Sequence, residues 1–183
     1  MSIPSKEVAV DNHLAGDVIE QQATDDIQQF VCFKLSDEEY ALDINIIREV
    51  IHVPSITPVP QMPEFCLGVI NSRGNVIPLF DLRKKFNLPD KGFDRNSRIL
   101  VAAVDNIIVS IVVDEVLDNI KFEASQIDPA PSIKMQIERE CINGLGKLEG
   151  RMIVILDMIK LHEFIMTEIN SSGKAQLQSE QSS

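Results

Sequence analysis

Three histidines, three cysteines and a few isolated carboxylates are the residues of this chain that could support covalent or metal chemistry. Asp114-Glu115 has no histidine at ligand spacing, so no metal site is expected. His13 lies near the start and His52 at the end of an apolar stretch, while His162 sits beside Leu161 and Phe164. A lone histidine in such a setting is packed or simply exposed. Cys32, Cys66 and Cys141 form no Cys-x-x-Cys pair and no zinc pattern. Cys32 and Cys66 lie within apolar stretches and read as inert buried thiols, in keeping with a reducing compartment. Asp81 and Asp157 each follow an apolar run, where a phosphoacceptor could stand. A receiver domain would also need an acidic cluster and alternating helices and parallel strands, so both aspartates read as helix N-caps. There is no Gly-x-Ser-x-Gly elbow and no phosphate loop, and Gly144-x-Gly146-x-x-x-Gly150 does not fit a dinucleotide fingerprint. No catalytic residue and no cofactor is expected. The enzyme alternative would have to place Asp81 or Asp114 in a cleft.

Charge and composition narrow the partners. The net charge of −11 opposes phosphate binding, so nucleic acid is not an expected ligand. A nucleic-acid-binding barrel would also need repeated exposed aromatics. With eight Phe, one Tyr and no Trp, the core must draw on Val, Ile and Leu, which favours strands. The longest apolar runs, 99–104 and 107–113, are strand-sized and far from the roughly 18 residues of a membrane span. No direct membrane insertion and no secretory signal are expected. Residues 1–28 hold Glu7, Asp11, Asp17, Glu20, Asp25 and Asp26 against Lys6, a net of −5, and read as an acidic disordered tail. Residues 170–183 read as a polar disordered tail.

Between the tails the sequence reads as short strands with turn punctuation. Residues 30–35 are apolar, and Tyr40, Leu42 and Ile44 alternate with Ala41 and Asp43 as in a half-buried strand. Residues 45–50 fit either a helical turn or a strand. The four prolines of 54–63 mark an extended connector. Two apolar stretches flank Ser72-Arg73-Gly74-Asn75 as a hairpin, and Asp81 caps a short helix through Phe86. Residues 87–96 read as a linker. Strands follow at 99–104, 107–113 and 116–122, then a stiff connector at 127–132, a second hairpin at 142–156 and a final helix opened by Asp157. Such short, evenly punctuated strands favour small barrels.

The chain repeats itself. The run from Gly68 to Lys84 matches that from Gly144 to Lys160 at a constant offset of 76, pairing Gly68 with Gly144, Gly74 with Gly150 and Asp81 with Asp157. The glycines read as structural turn residues. A weaker match aligns Ile47, Glu49 and Val50 with Val113, Glu115 and Val116. Two halves result: 29–90 as a first barrel and 95–169 as a second with the C-terminal helix. The copies differ in sign at the turn, with Arg73 in one and Glu149 in the other, which suggests that the halves face different partners.

These motifs resemble the CheW family. The likeness runs from about Phe30 to Phe164 through Tyr40-x-Leu42-x-Ile44, Ile47-x-Glu49-Val50, Gly68-Val69-x-Asn71-x-Arg73-Gly74-x-x-Ile77-Pro78-x-x-Asp81-Leu82, Ile127-x-Pro129-Ala130-Pro131 and Gly144-Leu145-Gly146. The resemblance implies a mostly β fold of two SH3-like five-stranded barrels packed together, with short helices after strands and a C-terminal helix. It implies a non-enzymatic chemotaxis scaffold, cytoplasmic and recruited to receptor arrays at the membrane. Its partners would be the regulatory domain of the histidine kinase CheA and the helical cytoplasmic tip of chemoreceptors. The positions matching the receptor-binding region are Ile47, Glu49, Asn71 and Arg73. An adaptor of a pilus-motility or other non-flagellar pathway is the alternative.

Overall fold

The computed structural model describes residues 26–129 and 131–180, with side chains through residue 174. In chain order the elements are β1 (Gln28–Leu35), β2 (Glu38–Asp43), β3 (Ile47–His52), β4 (Cys66–Ser72), β5 (Asn75–Asp81) and α1 (Leu82–Lys85). They continue with β6 (Arg98–Val104), β7 (Ile107–Val113), β8 (Glu115–Phe122), β9 (Ile127–Asp128), β10 (Ile142–Leu148), β11 (Arg151–Leu156) and α2 (Met158–Glu180). One sheet has the order β8-β1-β2-β11-β10-β9 and the other β3-β6-β7-β5-β4. Mostly β structure, two packed sheets and a C-terminal helix agree with the fold read from the sequence. The two-residue β9 adds a sixth strand to the first sheet.

The division into a 29–90 barrel and a 95–169 barrel does not hold. Each sheet joins a hairpin from one half to strands of the other, four in the first sheet and three in the second. β1 and β2 lie between β8 and β11, and β6 and β7 lie between β3 and β5. Two of the four junctions between the halves are the only parallel pairings among the named strands: β2 with β11, Tyr40 opposite Val154, and β5 with β7, Leu79 opposite Ser110. The repeat is real as a sequence repeat, but its two copies exchange their first hairpins.

That exchange explains why the hairpin strands lack polar alternation. In β1, Phe30 and Cys32 face the interior of their own sheet, while Val31, Phe33 and Leu35 face the seam between sheets. In β6, Ile99 and Val101 face inward and Leu100 and Ala102 face the seam. A strand covered on both faces reads as a continuous apolar run. The same holds for β2, expected to be half-buried: Tyr40 and Leu42 join the seam and Ala41 is also fully buried, within the first sheet.

Both repeat hairpins close with the geometry of a type I′ turn. Arg73 and Gly74 have φ of 52° and 82°, and Glu149 and Gly150 have 49° and 79°. Gly68 and Gly144, by contrast, are not turn residues. They sit inside β4 and β10 where the ladder shifts register. Gly68 has φ 132°, and a Cβ there would come within 2.1 Å of the Thr57 carbonyl oxygen. This is backbone on backbone and has no side chain to yield. Gly68→Ala is therefore expected to destabilise the fold by about 1–3 kcal/mol, read as a lower denaturation midpoint. A midpoint equal to wild type would show that the 57–58 connector moves freely.

Asp81 and Asp157 do cap helices: the Arg83 N–H donates to Asp81 Oδ1 at 2.9 Å and the Lys160 N–H to Asp157 Oδ1 at 3.0 Å. The expected C-terminal tail is a correction. α2 runs on through Glu180, with the Ser171 and Ser172 hydroxyls donating back to the carbonyls of Thr167 and Glu168. Gly173 costs a helix about 1 kcal/mol without breaking it. The acidic stretch up to residue 25 and residues 181–183 lie outside the described residues.

Candidate protein-interaction surface

β3 and β4 are opposite edges of their sheet, yet side chains join them. The Ser72 hydroxyl donates to Glu49 Oε1, and Arg73 Nε donates to Glu49 Oε2 at 3.2 Å. The sheet is thus curled until its two edges meet through a carboxylate. The Glu49 side chain is 19% exposed and that of Arg73 83%. Of the four positions marked by the resemblance, Glu49 and Arg73 are brought into contact. Asn71 supports them from within the turn, its Oδ1 accepting the Gly74 N–H at 3.1 Å. Ile47 points elsewhere: it is half-buried and packs on the seam cluster. Only Nε of the Arg73 guanidinium is engaged among the described residues, so its two Nη groups face water as a fork suited to a carboxylate. Glu149, at the matching turn, is exposed and forms no ion pair among the described residues.

A second charged assembly escaped the sequence reading. Arg83 is 1% exposed. Its Nε and Nη2 form a fork onto Asp81 at 3.0 and 2.8 Å, and Nη1 donates to Asp114 Oδ1 at 2.6 Å. Asp90 lies 3.3 Å from Nη2. The other Asp114 oxygen accepts the Ser36 N–H at 2.6 Å. Burial alone would depress the guanidinium, but the Asp81 fork and the charges of Asp114 and Asp90 more than offset it and hold it above its ordinary value. One sequence signal was available: Arg83 stands in the first turn of a helix, where a free cation opposes the helix dipole. Lys85 forms a companion staple, paired with Glu168 of α2 and lying 5.0 Å from the Phe65 ring and 4.2 Å from the Phe164 ring.

These contacts remove the reactive candidates. Asp81 is fully buried on Arg83, and both Asp114 oxygens are taken, so neither is offered to a substrate. Burial pushes the Cys32 thiol up to about 12, helped by Asp118, and the Cys141 thiol to about 11. Cys66 is also raised by burial, despite a hydrogen bond with the Gly68 backbone. Such thiols are protonated and slow at neutral pH. A groove of about 490 Å3 between residues 37–40 and 133–136 contains no His, Cys or Ser in its lining. No cluster of three metal-ligating side chains is found among the described residues.

Two exposed acids carry a pH signature. The Gly92 N–H, with Lys84 and Arg83, lowers the Asp90 carboxyl, and a hydrogen bond from Arg151 lowers Asp118. Folded values below unfolded ones mean that this stability is present above about pH 4 and lost as pH falls through the lower folded values. The double variant Asp90→Asn/Asp118→Asn should therefore show a shallower loss of stability on acidification below about pH 4. An unchanged acid limb in urea titrations across pH would contradict this.

Two packed β-sheets, carboxylates locked in a buried ion-pair network and an exposed charged turn fit a protein-binding scaffold. The CheW-like domain family model matches residues 29–164. The chemotaxis protein CheW of Klebsiella aerogenes is 37% identical over 134 residues, covering 73% of this chain and 81% of its own. That of Helicobacter pylori is 35% identical over 136 residues, covering 74% and 82%. The crystal structure of the scaffolding protein TtCheW from Thermoanaerobacter tengcongensis superposes with a TM-score of 0.67 at 35% identity, covering 71% of this chain and 88% of that one. The chain belongs to the CheW-like domain family, whose members are scaffold adaptors and not enzymes. No helix among the described residues is long and apolar enough to cross a membrane.

Proposed function

We propose that this protein couples chemoreceptors to the histidine kinase CheA within cytoplasmic arrays at the membrane. The observation that carries the reading is the Glu49–Ser72–Arg73 cluster. It presents a fixed guanidinium at the meeting of two sheet edges, on a chain whose relatives bear the name chemotaxis protein CheW. In this reading Arg73 and Glu49 grip the helical receptor tip, with Asn71 shaping the turn and Ile47 tying β3 to the seam. The kinase regulatory domain binds elsewhere, barrel to barrel. No covalent step occurs. Each contact is weak by itself and gains strength from multivalency in the array.

The test is co-sedimentation with receptor-bearing membranes and CheA, followed by kinase autophosphorylation. Wild type should raise kinase activity. Arg73→Glu places like charge beside Glu49 and should retain kinase binding while losing most receptor coupling. Wild type that binds neither partner would end the proposal, and coupling untouched by Arg73→Glu would remove the site from it.

A further inference from the structure

Residues 87–96 are expected to be a linker, but they bind elements of both sheets. Leu88 is buried and its N–H donates to the Arg83 carbonyl at 2.8 Å. The Pro89 carbonyl accepts the Ser36 hydroxyl, and Lys91 pairs with Asp37 at 3.3 Å; both partners lie in the turn between β1 and β2. Asp90 pairs with Arg83 and Lys84 of α1, and the Gly92 carbonyl accepts Arg83 Nη1 at 3.2 Å. The Phe93 ring lies 5.7 Å from the Arg83 guanidinium carbon. The segment therefore straps the β1–β2 turn of one sheet to the helix that follows β5 of the other.

Both ends of this assembly run into the cleft between β3 and β8. The cleft measures about 150 Å3 and is lined by Val50, Asn96, Arg98, Glu115 and Val116. Asn96 is the last residue of the strap, its N–H donating to Asp94 Oδ1 at 2.7 Å. Glu115 and Val116 directly follow Asp114, the carboxylate that Arg83 holds. The Glu115–Val116 wall is thus one or two residues from the carboxylate that Arg83 holds, and Asn96 lies three residues from Phe93 and four from Gly92, which both contact the Arg83 guanidinium.

We propose that the 87–96 strap is a latch: by closing Arg83 onto Asp114 it fixes how the two sheets meet and so sets the width of the β3–β8 cleft. Opening the latch lets both walls move while each sheet keeps its own interior cluster. The same coupling runs in reverse, so an occupant wedged between Val50 and Val116 tightens or loosens the strap. What this does to array partners rests on the adaptor reading above. The latch itself is measured without a partner, so the two can fail separately.

The experiment uses the full chain with strap variants Asp90→Asn and Phe93→Ala, singly and together. Both side chains lie at the surface, so the cores are untouched. Spin labels on Val76→Cys of β5 and Lys147→Cys of β10 report the distance between sheets, and hydrogen exchange reports the cleft. The double variant should broaden the inter-sheet distance distribution. It should also speed exchange at Arg98, Glu115 and Val116 by about tenfold, with Leu100 and Ile111 keeping their protection. An unchanged distance distribution overturns the latch. So does exchange that rises equally at Leu100 and Ile111, because the strap would then be contributing only general stability.

Discussion

Arg83→Ala should cost about 3–5 kcal/mol of folding stability and lower Tm by on the order of 10 °C. The substitution removes the one cation among the described residues that pairs with Asp81, which is fully buried, and with Asp114, whose second oxygen is bound to the Ser36 backbone. Two carboxylates would then stand together with no compensating charge, and no water can reach Asp81 without opening the core. Arg83→Lys should recover only part of the loss, since an ammonium cannot fork onto Asp81 while also reaching Asp114. Urea denaturation of the three proteins measures this directly. A loss below about 1 kcal/mol for Arg83→Ala, typical of a solvated surface pair, would mean that the network is far wetter than its burial indicates.

Phe33→Ala is the second large effect. Phe33 is fully buried in the seam, with its ring 6.1 Å from that of Tyr40. Truncation should cost about 3–5 kcal/mol. The shape of the transition matters as much as its midpoint. The two sheets share the seam cluster, so unfolding of either uncovers buried apolar surface on the other. A single transition with an unchanged m-value is expected, shifted to lower denaturant. A biphasic curve would mean that the two sheets are separable after all, and that the seam holds them less tightly than its burial implies.

The sequence displayed local features well and long-range ones poorly. The Arg73-Gly74 and Glu149-Gly150 hairpins were legible because turn chemistry and an offset of 76 are written in adjacent residues. The exchange of hairpins was not, because self-similarity shows that two segments are alike and is silent on which copy each pairs with. The apolar runs 99–104 and 107–113 held a clue: strands without polar alternation need cover on both faces, and one small barrel covers only one. Glu49 and Arg73 were picked out by family resemblance, and their contact became visible only when the sheet curled its edges together. Arg83 went unread because its three aspartate partners lie 2, 7 and 31 residues away and converge only in the fold. The length of α2 was missed because a serine- and glycine-bearing polar run carries no apolar stripe from which to read a helix.

The exchanged hairpins also bear on how the chain is made. Tyr40 of β2 pairs with Val154 of β11, so the first hairpin leaves the ribosome 114 residues before the strand that completes its sheet. At about 5–20 residues per second this is a wait of roughly 6–23 s. Until β8 emerges to pair with β1, a ribbon apolar on both faces, carrying Phe30, Phe33, Tyr40 and Leu42, has no neighbouring strand in its sheet. A nascent chain of this design depends on shelter during synthesis, from a chaperone or from the polar residues around it, in a way that the folded product no longer shows.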